Sequence, residues 1–130
     1  MEVNEVQMLQ FKLMMHASFN FFNGEQVVHD LLEHRDLWKG AVMWRADYFF
    51  DEKDLGRELI NLSCLRDIED GHWNVDTLYI LGREGKEEEL EKLAREWDAD
   101  EISWITGEDA DRMLGIGGYL KNKILRIWWD

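Results

Sequence analysis

Leu90, Leu93, Ala94 and Trp97 recur at i, i+3, i+4 and i+7, a spacing that admits little except an amphipathic helix over residues 86–97. Its first turn holds Glu87, Glu88 and Glu89, which suit the positive end of a helix dipole. Just before it, residues 73–81 (WNVDTLYIL) read as a strand whose continuous apolar end fits a central position in a sheet. Ile102 to Ile105 reads as a second, short strand. A strand, a helix and a strand in that order demand a sheet with helices packed on it. The unit over 77–105 is expected to be parallel and right-handed.

The remaining segments extend this pattern. Val27, Val28, Leu31 and Leu32 make one apolar stripe, so residues 25–37 are expected to be helical. Val42, Trp44, Ala46, Tyr48 and Phe50 share one face of a strand over 41–50. Asp51 to Asp54 with Gly56 supplies a turn, and residues 58–68 (ELINLSCLRDI) read as the next strand. Asp70-Gly71 marks a hairpin turn. Residues 108–116 read as a short helix with Ala110, Met113 and Leu114 on one side, stopped by Gly115, Gly117 and Gly118. Residues 119–129 form the last strand. Residues 6–22 fit two patterns. Leu9, Phe11, Leu13, Met15, Ala17, Phe19 and Phe21 alternate as in a strand, whereas Met8, Phe11, Met15 and Phe19 have helical spacing. The alternation favours a strand near 6–15, ended by Asn23-Gly24. There is no proline to break the chain. The expected class is α/β in the α+β sense: a single domain over 1–130 with a mixed, mostly antiparallel sheet and flanking helices.

Charge narrows the function. Asp and Glu number 28 against 15 Lys and Arg, a net charge of −13. Such a chain lacks the basic face of a general nucleic-acid binder. The acids are densest from Glu84 to Asp100, while the last ten residues carry Lys121, Lys123 and Arg126 against Asp130. One cysteine, Cys64, permits no internal disulfide and no cysteine-built zinc site. It reads as a small buried hydrophobe. The N-terminus has no basic n-region, and no apolar run approaches the length of a membrane span. A cytoplasmic protein is expected.

The order of elements, with Gly82-Arg83-Glu84-Gly85-Lys86 between strand and helix and Gly118-Tyr119 after the short helix, resembles the GCN5-related N-acetyltransferase fold. The resemblance covers most of the chain and is strongest from residue 73 onward; Ala110 and Arg112 also sit as that family's short-helix pattern would have them. It implies an acetyl-CoA site in which backbone groups of Tyr79, Ile80 and Leu81 hold the pantetheine arm and the turn at Gly85 opens a cradle for the pyrophosphate. Several positions depart from the family pattern. Both phosphate-facing glycines fall on Glu87 and Glu89, whose carboxylates repel a pyrophosphate and fill the space glycine leaves. The family's frequent general-acid tyrosine falls on Leu114, and its asparagine on Gly107. The chain is therefore similar to degenerate, tryptophan-rich members of the fold encoded by bacteriophages, some of them virion-associated or accessory. That would place it in the host cytoplasm or the virion.

Other candidate chemistry is weak. Asp67, Glu69, Asp70, His72 and Asp76 cluster in sequence, but a calcium loop starting at Asp67 would have Leu78 where it needs a glutamate. His29 and His34 are five apart and do not share a helical face as a metal pair would. His72 or Glu69 at a strand end could serve as a general base on sequence grounds alone. Trp128 and Trp129 are adjacent on a strand and point to opposite faces. With Lys121, Lys123 and Arg126 they form the one basic-aromatic patch, the composition that anchors protein interfaces.

Three functions follow. The first is a non-enzymatic, acetyltransferase-like protein that acts through protein contacts or self-association at Lys121, Arg126, Trp128 and Trp129, with no catalytic residue, metal or cofactor. The second is an active N-acetyltransferase that binds acetyl-CoA. The third is an acidic inhibitor that mimics nucleic acid.

Overall fold

The computed structural model describes residues 2–17, 21–45, 62–118 and 120–130. It shows an α+β fold. Helix α1 spans Glu5–Met15 and helix α2 spans Gly24–Glu33; a 3-10 turn at Arg35–Leu37 leads into strand β1, Trp38–Trp44. Short helix α3 (Ser63–Arg66) precedes strand β2, Thr77–Gly82. Helix α4 (Glu87–Ala94) continues as a 3-10 turn to Trp97 and is followed by strand β3, Glu101–Thr106. Helix α5 (Gly107–Leu114) and strand β4 (Lys123–Trp128) complete the order.

The strands form one sheet in the order β1-β2-β4-β3, and every pair of neighbours is antiparallel. The described sheet is thus not mixed. The expected β2-α4-β3 unit keeps its direction, because both strands run against β4, but the two strands are not neighbours. Strand β4 is inserted between them and pairs Ile80 with Leu125 and Trp104 with Leu125.

Register sorts the side chains into two faces. Ala41, Met43, Leu78, Ile80, Leu125 and Ile127 share the inner face and are buried. They form one cluster with Phe11 and Met14 of α1, Val27, Val28 and Leu31 of α2, and Leu90, Ala94 and Trp97 of the α4 region. Burying a side chain of this size is worth about 1.5–3 kcal/mol, so this cluster is the main source of stability. Indole N–H groups fix the elements around it. Trp38 donates to the Leu31 carbonyl at 2.8 Å, and Trp97 donates to Asp30 at 2.9 Å.

Three expectations are corrected. Residues 6–15 form a helix instead of a strand. Asn4 caps it by accepting from the Gln7 amide at 3.0 Å. The alternation misleads because α1 is apolar on both sides: Phe11 and Met14 are buried, while Val6, Leu9 and Leu13 are exposed. The second correction concerns residues 58–68: the described part, from 62 onward, holds α3 and no strand, so Cys64 lies half-buried on a single helical turn. The third concerns α5, which turns Ala110 and Asp111 inward, while Met113 is 55% exposed and Leu114 is exposed beside it. The apolar side expected for that helix is therefore split. Ala46, Tyr48, Phe50, the turn at 51–56 and Tyr119 lie outside the described residues.

Asn23-Gly24 does more than break the chain. Asn23 caps α2 by accepting from the Gln26 amide at 3.2 Å. Gly24 lies so close to the Met14 carbonyl that a Cβ there would overlap it, so glycine permits the approach of α2 to α1.

Candidate interaction surface

The outer face of the sheet carries Trp44, Thr77 and Trp128 in one row, Val42, Tyr79, Arg126 and Ser103 in the next, and Gly40, Leu81, Ile124 and Ile105 in the third. Thr77 and Ile124 are buried, but Trp44 is 53% exposed and Val42 is exposed beside it. Tyr79, Arg126 and Trp128 are half-buried. The Trp44 ring meets the Trp73 ring edge-on, with centroids 6.0 Å apart. Between Val6 and Gln10 of α1 and Leu114 of α5, this face sinks into an open groove of about 370 Å³ floored by Val42, Tyr79 and Leu81. Its lining is almost wholly apolar, with Gln7, Gln10 and the Tyr79 hydroxyl as polar edges.

Helix α5 walls the groove because Asp111, only 3% exposed, holds the following loop against it. Its carboxylate accepts from the Leu120 amide at 2.9 Å and from Asn122 at 3.4 Å. That loop forces Leu120 to φ +52°, a left-handed conformation unusual for a leucine. Leu114 is then left at the rim of the open face.

The four residues expected at a partner contact do not act together. Trp129 is a core residue, 1% exposed, and its ring packs edge-on against Phe22 at 4.7 Å. Its indole N–H donates to the Trp97 carbonyl at 3.0 Å. Trp129 is therefore turned into the core and does not lie on the open face with Trp128. Arg126 and Trp128 do face outward on the open sheet, and Arg126 lies 3.9 Å from Glu101. Lys121 lies elsewhere, in a hollow that it shares with Lys39, Lys123, Glu84 and Glu87. The aromatic members missed by the sequence reading are Trp44 and Tyr79. Their signal was present in the alternation of β1 and β2, but only the pairing puts them beside Arg126.

The positions implied for acetyl-CoA are already engaged. The backbones of Tyr79, Ile80 and Leu81 pair with Val42, Ala41 and Gly40 on one side and with Arg126, Leu125 and Ile124 on the other. Gly85 sits in a turn at φ +84°. The carboxylate of Glu87 bonds to its own amide and to that of Gly85, and it lies 3.5 Å from the Lys123 ammonium. These bonds hold the Glu87 carboxyl below the usual carboxylate range, the two amides and the lysine outweighing its burial. A carboxylate of the chain itself thus occupies the helix start where a pyrophosphate would need those amides.

The other clusters are structural. Asp67 accepts from Arg66 at 3.3 Å and from the Asn74 amide at 2.6 Å, and Arg45 donates to Asn74 at 2.6 Å. The Arg66 hydrogen bond is the main reason that the Asp67 carboxyl lies below its ordinary value. Among the described residues no group of three His, Cys, Asp or Glu is placed to hold a metal ion. Two acids of α4 lie beside the bases that flank it: Glu89 lies 3.9 Å from Lys86 and Glu91 lies 3.2 Å from Arg95. No helix among the described residues is long and apolar enough to cross a membrane. No known protein family, curated protein or solved structure matches the chain.

Proposed function

We propose that this chain is a non-enzymatic protein that works through protein–protein contacts made by the outer face of its sheet. The observation that carries this reading is the co-location of Trp44, Tyr79, Arg126 and Trp128 on one open face beside an apolar groove. Tryptophan, tyrosine and arginine dominate the energy of protein interfaces because they bury large areas and keep a polar handle. A large apolar surface is costly to leave in water and marks a contact site more often than chance exposure does. This role keeps the sense of the acetyltransferase-like, structural or accessory protein that the sequence suggested, and it needs neither acetyl-CoA nor a catalytic group.

The test is photocrosslinking in the native cell, with a crosslinking side chain placed at Val42 or Trp44 and, as a control, at Glu88. A discrete adduct from the sheet positions, lost in Arg126→Glu and absent from the control, is the expected result. Identical adduct patterns from all three positions would remove the reading. Sedimentation of the purified chain separates self-association from a different partner.

A further inference from the structure

Strands β1 and β3 are the two edges of the sheet, and they are treated differently. At β1 the Gln7 side chain completes the ladder. Its amide donates to the Ala41 carbonyl at 2.7 Å and accepts from the Ala41 N–H at 2.8 Å, as a neighbouring strand would. The register of β1 also shifts between Trp38 and Gly40, a bulge of the kind that discourages strand addition. Among the described residues no such device guards β3, and the backbone of Glu101–Thr106 pairs with β4 and with nothing else. Its sequence, Glu-Ile-Ser-Trp-Ile-Thr, is β-branched and aromatic, with no proline, glycine or lysine. Its one charge, Glu101, faces Arg126. Unpaired edges of this composition recruit a further strand.

Charge selects the occupant. Asp98, Asp100 and Glu101 lie at one end of β3, and Glu108 and Asp109 lie at the other. No lysine or arginine occurs from Asp98 to Asp109. A second copy paired antiparallel would bring acidic end against acidic end in a chain of net charge −13, so self-pairing is opposed. We propose that the free edge of β3 takes an extended segment of another protein, with an alternating β-branched centre and Lys or Arg at both ends. Main-chain hydrogen bonds supply the pairing, and the acids at the two ends fix its position. This surface is separate from the open face around Trp44.

The experiment titrates the full chain with a synthetic peptide, Lys-Lys-Thr-Val-Thr-Val-Thr-Lys-Lys. Two further versions carry N-methyl groups on alternate central residues, one on the odd set and one on the even set. A strand adds through only one set of amides. The unmodified peptide and one methylated version are therefore expected to bind, the other to bind at least about tenfold more weakly. The β3 amides should gain hydrogen-exchange protection, and binding should weaken as salt rises. Equal binding of all three peptides would mean adhesion to acidic surface and would overturn the proposal. So would no binding at millimolar peptide, or β3 protection that grows with protein concentration in the absence of peptide. Trp44→Ala is expected to leave the titration unchanged, which keeps the outcome independent of the open-face reading.

Discussion

The Trp129 indole donates its N–H to the carbonyl of Trp97 at 3.0 Å, joining the end of the C-terminal strand to the end of the helix that crosses beneath it. The backbone N–H of Trp129 also donates to the Asp76 carbonyl at 3.0 Å, so one residue ties β4 to both the entry of β2 and the exit of α4. Trp129→Ala is expected to cost about 3–5 kcal/mol, the range for removing a buried aromatic. Trp129→Phe should cost about 1–2 kcal/mol, chiefly for the orphaned carbonyl. Trp128→Ala, on the half-buried outer face, should cost less than Trp129→Ala. Urea unfolding of the three variants decides the ranking.

Gln7 closes the β1 edge with two hydrogen bonds to one backbone unit. Gln7→Leu is expected to lower stability by about 1–3 kcal/mol, because both polar groups of Ala41 lose their partner. The Ala41 amide should then exchange faster with solvent. Gln7→Glu should fall between, since its carboxylate can still accept but cannot donate. Hydrogen exchange by NMR reads both effects.

Glu87 sets a pH dependence. Its folded pKa lies below its unfolded one, so the unfolded chain takes up the proton first. The stabilisation is present above the ordinary carboxylate value of about 4.3 and is lost as pH falls through the depressed folded value. Glu91, lowered first by the Trp104 N–H and then by Arg95, and Asp67, lowered mainly by Arg66, act in the same direction. Thermal melts from pH 7 downward are expected to show a falling Tm. Glu87→Gln should flatten that slope without abolishing it.

Asp111 and Leu120 should respond in opposite senses. Asp111→Ala leaves the Leu120 amide without its acceptor and is expected to cost about 1–3 kcal/mol. Leu120→Gly relieves a positive φ and loses little burial, because the side chain is exposed. A gain of up to about 1 kcal/mol is expected in chemical denaturation. A loss of stability in Leu120→Gly would mean that the leucine makes contacts that matter more than its backbone strain.

Acetyl-CoA is expected to give no heat on calorimetric titration at millimolar concentration. The backbone of Tyr79–Leu81 is paired on both sides, and the Glu87 carboxylate already accepts from the Gly85 amide. Binding that strengthens in Glu87→Gly would reverse this conclusion and favour an N-acetyltransferase.

The helix expected over 86–97 and the strands expected over 73–81, 102–105 and 119–129 follow from apolar spacing. The structure has the helix at 87–94 with a 3-10 turn to Trp97, and the strands at 77–82, 101–106 and 123–128. The strand starts at 77 and 123 were not legible in the sequence, but the elements themselves were. So was the split between Trp128 and Trp129, since adjacent residues on a strand must face opposite ways. Helix α1 was not legible. Its outer residues Val6, Leu9 and Leu13 are as apolar as its buried Phe11 and Met14, so spacing alone could not separate two folds of the same segment.

Sequence alone determined which segments carry an apolar face, the acidity of the chain, and the three glutamates in the first turn of α4. Tertiary structure decided the rest. Strand order depends on contacts between residues far apart in the chain, and no local period records that β4 enters between β2 and β3. That insertion sets Arg126 between Tyr79 and Ser103 on the open face and leaves β3 as an edge. The burial of Trp129 was decided the same way, because the choice of which tryptophan meets the core belongs to the helices packed there.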